Sequence, residues 1–385
     1  MTSWKTYRLG DICKRVCSGG TPKSTESTYY DGDIPWLNTK EINFNRIYST
    51  ERCITQKGLD NSSAKWIDAN CVIVAMYGAT AAKVAINKIP LTTNQACCNL
   101  SIDKKIADYH YVYYWLCANY TELASLANGG AQQNLNAQQI KDFEISLPGL
   151  EEQRRIAGIL GAIDDKIENN RRINTNLEHQ AQALFDKIFF DDNDVERNPL
   201  SDYADINPTR TLRQGVVARY IEMANLPTRG SFPSDWSYKS YGGGCKFANG
   251  DTIMARITPC LENGKTAYID FLEEQEVAFG STEYIVISAK SGYCPALFYF
   301  LARNKEFVDY AVGHMNGSSG RQRVSGADIA NFSMPHITLE ESNKFAEVVM
   351  PMMDVIRNNS LENRHLATLR DTLLPKLMNG EIKTE

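Results

Sequence analysis

Residues 150–170 read LEEQRRIAGILGAIDDKIENN, and from Leu339 the chain reads LEESNKFAEVVMPMMDVIRNN, the same pattern at an offset of 189 residues. The match runs on without a gap. Asp165, Ile167, Asn169 and Asn170 meet Asp354, Ile356, Asn358 and Asn359, and Leu177, Leu184 and Lys187 meet Leu366, Leu373 and Lys376. Chance scatters identities, whereas a duplicated unit keeps them in register, so the chain reads as one module written twice.

The repeated stretch carries a heptad seam. Ile156, Leu160, Ile163, Ile167, Asn170, Asn174, Leu177, Ala181, Leu184 and Ile188 step by alternating four and three residues, as do Phe345, Val349, Met352, Ile356, Asn359, Asn363, Leu366, Arg370, Leu373 and Leu377. Each copy predicts a helix of up to about 38 residues, or ~57 Å, and a helix that long needs a partner. The simplest partner is the other copy. Asn170, Asn174, Asn359 and Asn363 are then register pins, unless they mark where the seam turns to solvent. Pro351 and Pro375 stand where the first copy has Ala162 and Asp186, and both are expected to kink or end the second helix.

Four segments follow: a globular block 1–149, a central helix segment 150–196, a second block 197–338 and a C-terminal helix segment 339–385. The first block mixes extended runs such as CVIVAMYG with an aromatic helix candidate, YHYVYYWLCANYTELASL. The second has DTIMARI and ALFYFLARNKEFVDYAV in the same order. Asn136 with Gln139 and Ser325 with Asp328 have the spacing of caps on short helices. The expected fold is mixed α/β: two similar globular domains separated by two long antiparallel helices, with an internal pseudo-twofold repeat.

Composition bounds the function. The 385 residues are 43% hydrophobic, enough to fill real cores. The N-terminus lacks the succession of a signal peptide and no run approaches a membrane span, so the expectation is a cytoplasmic protein with no membrane partner. Ten cysteines fall singly or as Cys97–Cys98, unlike a disulfide framework. Cys13 and Cys17 have no second pair at zinc spacing, so no metal is expected. Gly264-Lys265-Thr266 imitates the end of a phosphate loop, but Pro259 stands where the required glycine belongs. Nucleophile elbows, dinucleotide fingerprints and the Asn/Asp-Pro-Pro-aromatic motif of amino-methyltransferases are missing as well, which makes catalysis the minority reading.

The net charge of −5 is carried by the helix segments, leaving the two blocks near neutral. Polyanion binding must therefore be local. The candidate DNA-binding residues sit in loops beside Gly, Asn, Gln and Thr: Lys23, Asn38, Lys40, Lys83, Gln132, Gln133 and Asn134 in the first block, and Arg210, Arg213, Arg229, Arg256, Lys265, Arg321, Gln322 and Arg323 in the second. Arg pairs with guanine, and Asn or Gln with adenine, through two hydrogen bonds at once. Gln132, Gln133 and Asn134 occupy the loop that corresponds to Arg321, Gln322 and Arg323, and both loops are expected to face DNA.

Two divergent blocks, each followed by LPGLEEQRRIAGILGAIDDKIENNRR or its degenerate copy, with LRDTLLPKLMNGEI at the end, resemble the specificity subunit of type I restriction-modification systems. YRLGDI, SGGTPKS and DIPWLNTKEI look like the start of that family's target recognition domain, and PLSDYADINPTR is a plainer second start. The second copy departs from the pattern, with Ser342 in place of the glutamine. The resemblance implies a subunit with no catalytic residues and no cofactor of its own. Each domain would read one half of a split, asymmetric site on double-stranded DNA, and the helices would set the spacing. The implied partners are two DNA adenine methyltransferase subunits carrying S-adenosylmethionine, and restriction/translocase subunits using ATP and magnesium. The alternatives are an enzyme with an unrecognised site and a coiled-coil scaffold whose blocks bind protein or glycan.

Overall fold

The computed structural model describes residues 4–127, 134–191, 194–318 and 320–384. The chain folds as two compact units, residues 1–165 with 366–385 and residues 166–365. Both long helices therefore cross from one unit to the other, and each unit holds part of each helix.

In the first unit a five-stranded sheet has the order Cys13–Ser18, Cys97–Ile102, Val72–Ala75, Val84–Asn87, Asn45–Ile47. A four-stranded sheet has the order Arg52–Ile54, Tyr30–Leu37, Leu91–Thr93, Trp66–Ile67, with its central pair parallel. The apolar run at 72–75 is a strand buried on both faces: Val72 and Val74 pack with the aromatic helix Tyr109–Ala118, while Ile73 and Ala75 pack with Leu37, Ile42 and Leu91. Asp108 starts that helix by accepting from the backbone N–H groups of His110 and Tyr111, at 2.9 and 3.2 Å.

The second unit repeats the plan. Its sheets have the orders Ala204–Ile206, Tyr284–Ala289, Asp251–Ala255, Thr266–Tyr268 and Ser237–Ser240, Val217–Ile221, Ala278–Gly280, Cys245–Phe247, the latter again with a parallel central pair. Strand for strand the order is that of the first unit, less the edge strand Asn45–Ile47. In both units the capping box at the short helix is present, Asn136 with Gln139 and Ser325 with Asp328.

The long helices run Leu150–Phe189 and Leu339–Met378, each starting at the repeated leucine. Within the first unit Asp164 pairs with Arg370 at 2.9 Å and Glu152 accepts from the Thr384 hydroxyl at 2.7 Å. Within the second, Asn170 Nδ2 donates to Asn363 Oδ1 at 3.0 Å and to Glu362 Oε2 at 2.7 Å, and Asn359 Nδ2 donates to Asn174 Oδ1 at 2.8 Å. Asn174 Nδ2 in turn donates to Ser360 Oγ at 3.2 Å. As numbers rise along one helix they fall along the other, so the pairing is antiparallel in each unit.

Two expectations about the helices need correction. The second helix is ended by neither Pro351 nor Pro375. A proline deletes one backbone bond at a cost of about 3 kcal/mol, and the buried face on either side, with Phe345, Val349, Met353 and Ile356 all below 3% exposed, more than offsets it. The seam also drifts at the far end of the first helix, where Phe185 and Phe189 are buried and the expected Ile188 is 43% exposed. A straight helix turns every 3.6 residues, so a 3.5-residue pattern slips by about 20° per heptad, and the aromatic cluster of Phe185, Phe189, Phe300 and Phe345 captures the slipped face.

The residue that distinguishes LEEQ from LEES is buried in both copies. Gln153 accepts from Asp108 N at 3.0 Å and donates to Pro148 O at 2.9 Å, tying the first turn of the long helix to the cap of the aromatic one. The shorter Ser342 does the same work on a nearer partner, its Oγ accepting from Cys294 N at 2.8 Å.

Candidate nucleic-acid interface

In the first unit the loops that follow four strands are stitched into one cluster by backbone hydrogen bonds. Gly20 N donates to Thr93 O at 2.9 Å, Asn94 N to Leu37 O at 3.0 Å, Met76 N to Ala96 O at 2.8 Å and Leu135 N to Met76 O at 2.8 Å. The SGGTPKS turn has glycines because a Cβ on Gly19 would lie 1.9 Å from Thr93 O and one on Gly20 would lie 2.2 Å from Ala64 N. This close approach carries Lys23 out into solvent.

The second unit builds the equivalent cluster. Arg256 N donates to Glu283 O at 3.0 Å, Val324 N to Arg256 O at 3.0 Å and Thr258 N to Gln322 O at 3.1 Å. Leu135 and Val324, which meet at the 189-residue offset, thus make the same bond in their two units.

The sequence candidates divide by what their side chains already hold. Lys40 pairs with Glu51 at 2.5 Å, and Asn38 caps the turn 39–41 by accepting from Lys40 N at 3.2 Å. Lys83 donates to Asn43 Oδ1 at 2.8 Å and Lys265 to Met223 O at 2.6 Å. Arg210 is half-buried against Asp251 at 2.5 Å. Arg323 grips Glu283 with Nε at 2.8 Å and Nη2 at 2.7 Å, and those hydrogen bonds hold the Glu283 carboxyl below its ordinary range. Arg256 is partly buried, its Nε without a hydrogen-bond partner among the described residues.

Lys23, Arg213, Arg229 and Arg321 are exposed, with no ion-pair partner among the described residues. Asn134 is also exposed and bridges Tyr77 through the backbone. Gln322 is half-buried beside Arg321. Gln132 and Gln133 lie outside the described residues.

The loops present side chains that the sequence candidates left out. Tyr77 is 45% exposed on the first cluster. Gln95 is exposed there too, its amide oxygen accepting from the Thr21 hydroxyl. Both stand two residues beyond a buried strand, in AMYG and TTNQ, and a search that weighted loop position above charge would have found them. The clusters thus combine cations, amides and an exposed aromatic ring, the chemistry that meets phosphates, base edges and base faces. Among the described residues no group of acidic, histidine and cysteine side chains has the geometry of a metal site, and no helix is long and apolar enough to cross a membrane.

Residues 1–179 match the family model of the type I restriction modification DNA specificity domain. The chain is 26% identical over 419 residues to the type I restriction enzyme MjaIX specificity subunit of Methanocaldococcus jannaschii, covering 99% of this chain and 94% of that protein. It is 30% identical over 173 residues to the EcoR124I/EcoR124II specificity subunit of Escherichia coli, covering 42% of this chain and 40% of that one. The crystal structure of the type-I restriction-modification system S subunit from M. genitalium shares the fold, with a TM-score of 0.64 and 16% identity over 98% of this chain and 96% of that one.

Proposed function

From the similarity to type I restriction-modification specificity subunits, we propose that the chain is such a subunit, that each unit reads one half of a bipartite, asymmetric site on double-stranded DNA and that the reactions are carried out by partner subunits. The observation that carries this reading is the loop cluster built twice on one strand order with different side chains. A constant scaffold with divergent loops is what two readers of different sequences require.

The partners are two adenine methyltransferase subunits, which bring S-adenosylmethionine, and translocating nuclease subunits, which bring ATP and magnesium; all work in the cytoplasm. Division of labour follows from the chemistry. An adenine must leave the stack to be methylated, so one protein grips the grooves while another receives the extruded base.

Arg321 is the sharpest test. It is exposed on the second cluster with no ion-pair partner among the described residues, whereas its neighbour Arg323 is tied to Glu283. Arg321→Ala is expected to weaken specific binding by about 1–3 kcal/mol if it reads a base, or to flatten the salt slope by about one unit if it holds a phosphate. Filter binding of the assembled methyltransferase over a salt series separates the two outcomes. Unchanged affinity together with an unchanged slope would remove this loop from the interface. Duplex binding that is absent altogether, or indifferent to salt, would favour a protein- or glycan-binding scaffold.

The methyltransferase partners need a surface, and the second helix offers one. Val348 and Val355, seven residues apart on one stripe, are 46% and 43% exposed. Pro351 lies between them on the solvent side. The double variant Val348→Asp with Val355→Asp is expected to melt like the parent, since neither side chain is buried, and to lose most of its complex with the methyltransferase on size-exclusion chromatography. Normal assembly of that variant would move the docking surface elsewhere.

A further inference from the structure

Tyr77 and Ile257 hold the same place in the two units. Each stands two residues beyond a buried central strand, Val72–Ala75 or Asp251–Ala255. Each makes an isolated antiparallel bridge to the residue across the cluster, Tyr77 to Asn134 and Ile257 to Arg323. Asn134 and Arg323 are themselves 189 residues apart, so the correspondence is structural and does not depend on the divergent loop sequences.

The backbone at both places is firmly held. Ala82 N donates to Ala75 O at 2.9 Å and Ala81 N to Gly78 O at 3.0 Å, closing the loop under Tyr77, while Leu261 N donates to Ile257 O at 3.0 Å. The Tyr77 ring is 45% exposed, and its hydroxyl has no hydrogen-bond partner among the described residues. Beside it Gly78, at φ +70°, has open space where a Cβ would sit. Polar groups flank each apolar side chain: Asn134 in the first unit, and Arg321, Gln322 and Arg323 in the second. Tyr77 presents a half-exposed ring beside an amide, and Ile257 a partly buried branched side chain beside cations and an amide, each on a held loop, a setting matched to the face of a base whose phosphates lie close by.

We propose that Tyr77 and Ile257 are the side chains that enter the base stack of each half-site and fill the gap left when the target adenine turns out toward the methyltransferase. Extrusion strips the neighbouring base pairs of a stacking partner, and an apolar group pushed between them replaces part of what is lost. The planar ring of Tyr77 does this by stacking, and the branched side chain of Ile257 does it as a wedge. They are positioning residues, since the transfer itself occurs on the partner. The proposal rests on the reading of function above.

The test uses the complete methyltransferase complex and its own site, identified from the methylated DNA of a host carrying it. Each half-site adenine is replaced in turn by 2-aminopurine, which brightens when unstacked. Tyr77→Ala is expected to lose the brightening and to slow methylation by about tenfold in the half read by the first unit, with the other half unaffected. Tyr77→Phe retains both signals, and Ile257→Ser reproduces the loss in the opposite half. Brightening and methylation equal to the unaltered complex in Tyr77→Ala would overturn the proposal. So would an equal loss in both halves, which is the mark of a structural defect. An unaltered complex that methylates no bipartite site would overturn the underlying reading of function instead.

Discussion

Arg210→Ala lowers the stability of the second unit by about 3–5 kcal/mol, the cost of stranding a buried charge, and leaves the exposed loop cations as they are. Asp251 is 0% exposed at the start of the strand Asp251–Ala255, with Arg210 Nη2 at 2.5 Å from one carboxylate oxygen and Ala248 N donating to the other at 2.7 Å. Burial outweighs these bonds and pushes the Asp251 carboxyl above its ordinary range. Removing the guanidinium pushes it further. A carboxyl whose folded value lies above its unfolded one costs stability as pH rises between the two, because the unfolded chain releases the proton first. The defect of Arg210→Ala is therefore larger at pH 8 than at pH 5. Adding Asp251→Asn restores part of the loss at pH 8. Denaturant melts at the two pH values check this, and a variant within about 0.5 kcal/mol of the parent at pH 8 would show the pair contributes nothing.

Lengthening both helices by one heptad changes which DNA is methylated. The family resemblance implies that helix length sets the spacing of the two half-sites. The boundaries between the units fall at Asp165/Lys166 and His365/Leu366, so seven residues inserted at both leave the packing inside each unit intact. Seven residues keep the 3-4 seam in phase and add ~10 Å at 1.5 Å per residue, or about three base pairs at ~3.4 Å each. The expected methylome shows the original bases in both halves and a spacer longer by three. Rotation through about a third of a DNA turn accompanies the change, so sites are mapped and rates are left aside. The original spacer, or altered half-site bases, would refute helix length as the measure.

The architecture was legible because it rests on periodicity. A 189-residue offset and a 3-4 seam are properties of residue order, and the antiparallel asparagine contacts of Asn170, Asn174, Asn359 and Asn363 lie on that seam. The expected end of the helix at the prolines failed because a local cost was weighed without the buried face that offsets it. Which cations are free was not legible. Arg323 finds Glu283, Arg210 finds Asp251 and Lys265 finds the carbonyl of Met223, each partner about 40 residues away along the chain and beside it only after folding. A list drawn from residue type thus mixes side chains that hold the unit together with side chains that face outward. Tyr77 escaped such a list because an isolated tyrosine carries no charge and the list weighed charge above loop position, while its half-exposed ring on a pinned loop appears only after folding.

The first unit is discontinuous, and this orders events during synthesis. Leu377 and Met378 lie in its core with Leu9, Tyr111, Ile156 and Leu160, and Gly380 stacks under Trp4. The second unit, 166–365, is one uninterrupted stretch. A ribosome delivers the bulk of the first unit, then the whole of the second, and only then the segment that closes the first. At about 5–20 residues per second the N-terminal unit waits ~10–40 s with the apolar seam around Ile156 and Leu160 uncovered. In that interval the nascent chain is open to chaperones and proteases, and premature termination within 366–385 yields a protein whose later-made unit is finished while its first-made unit is not.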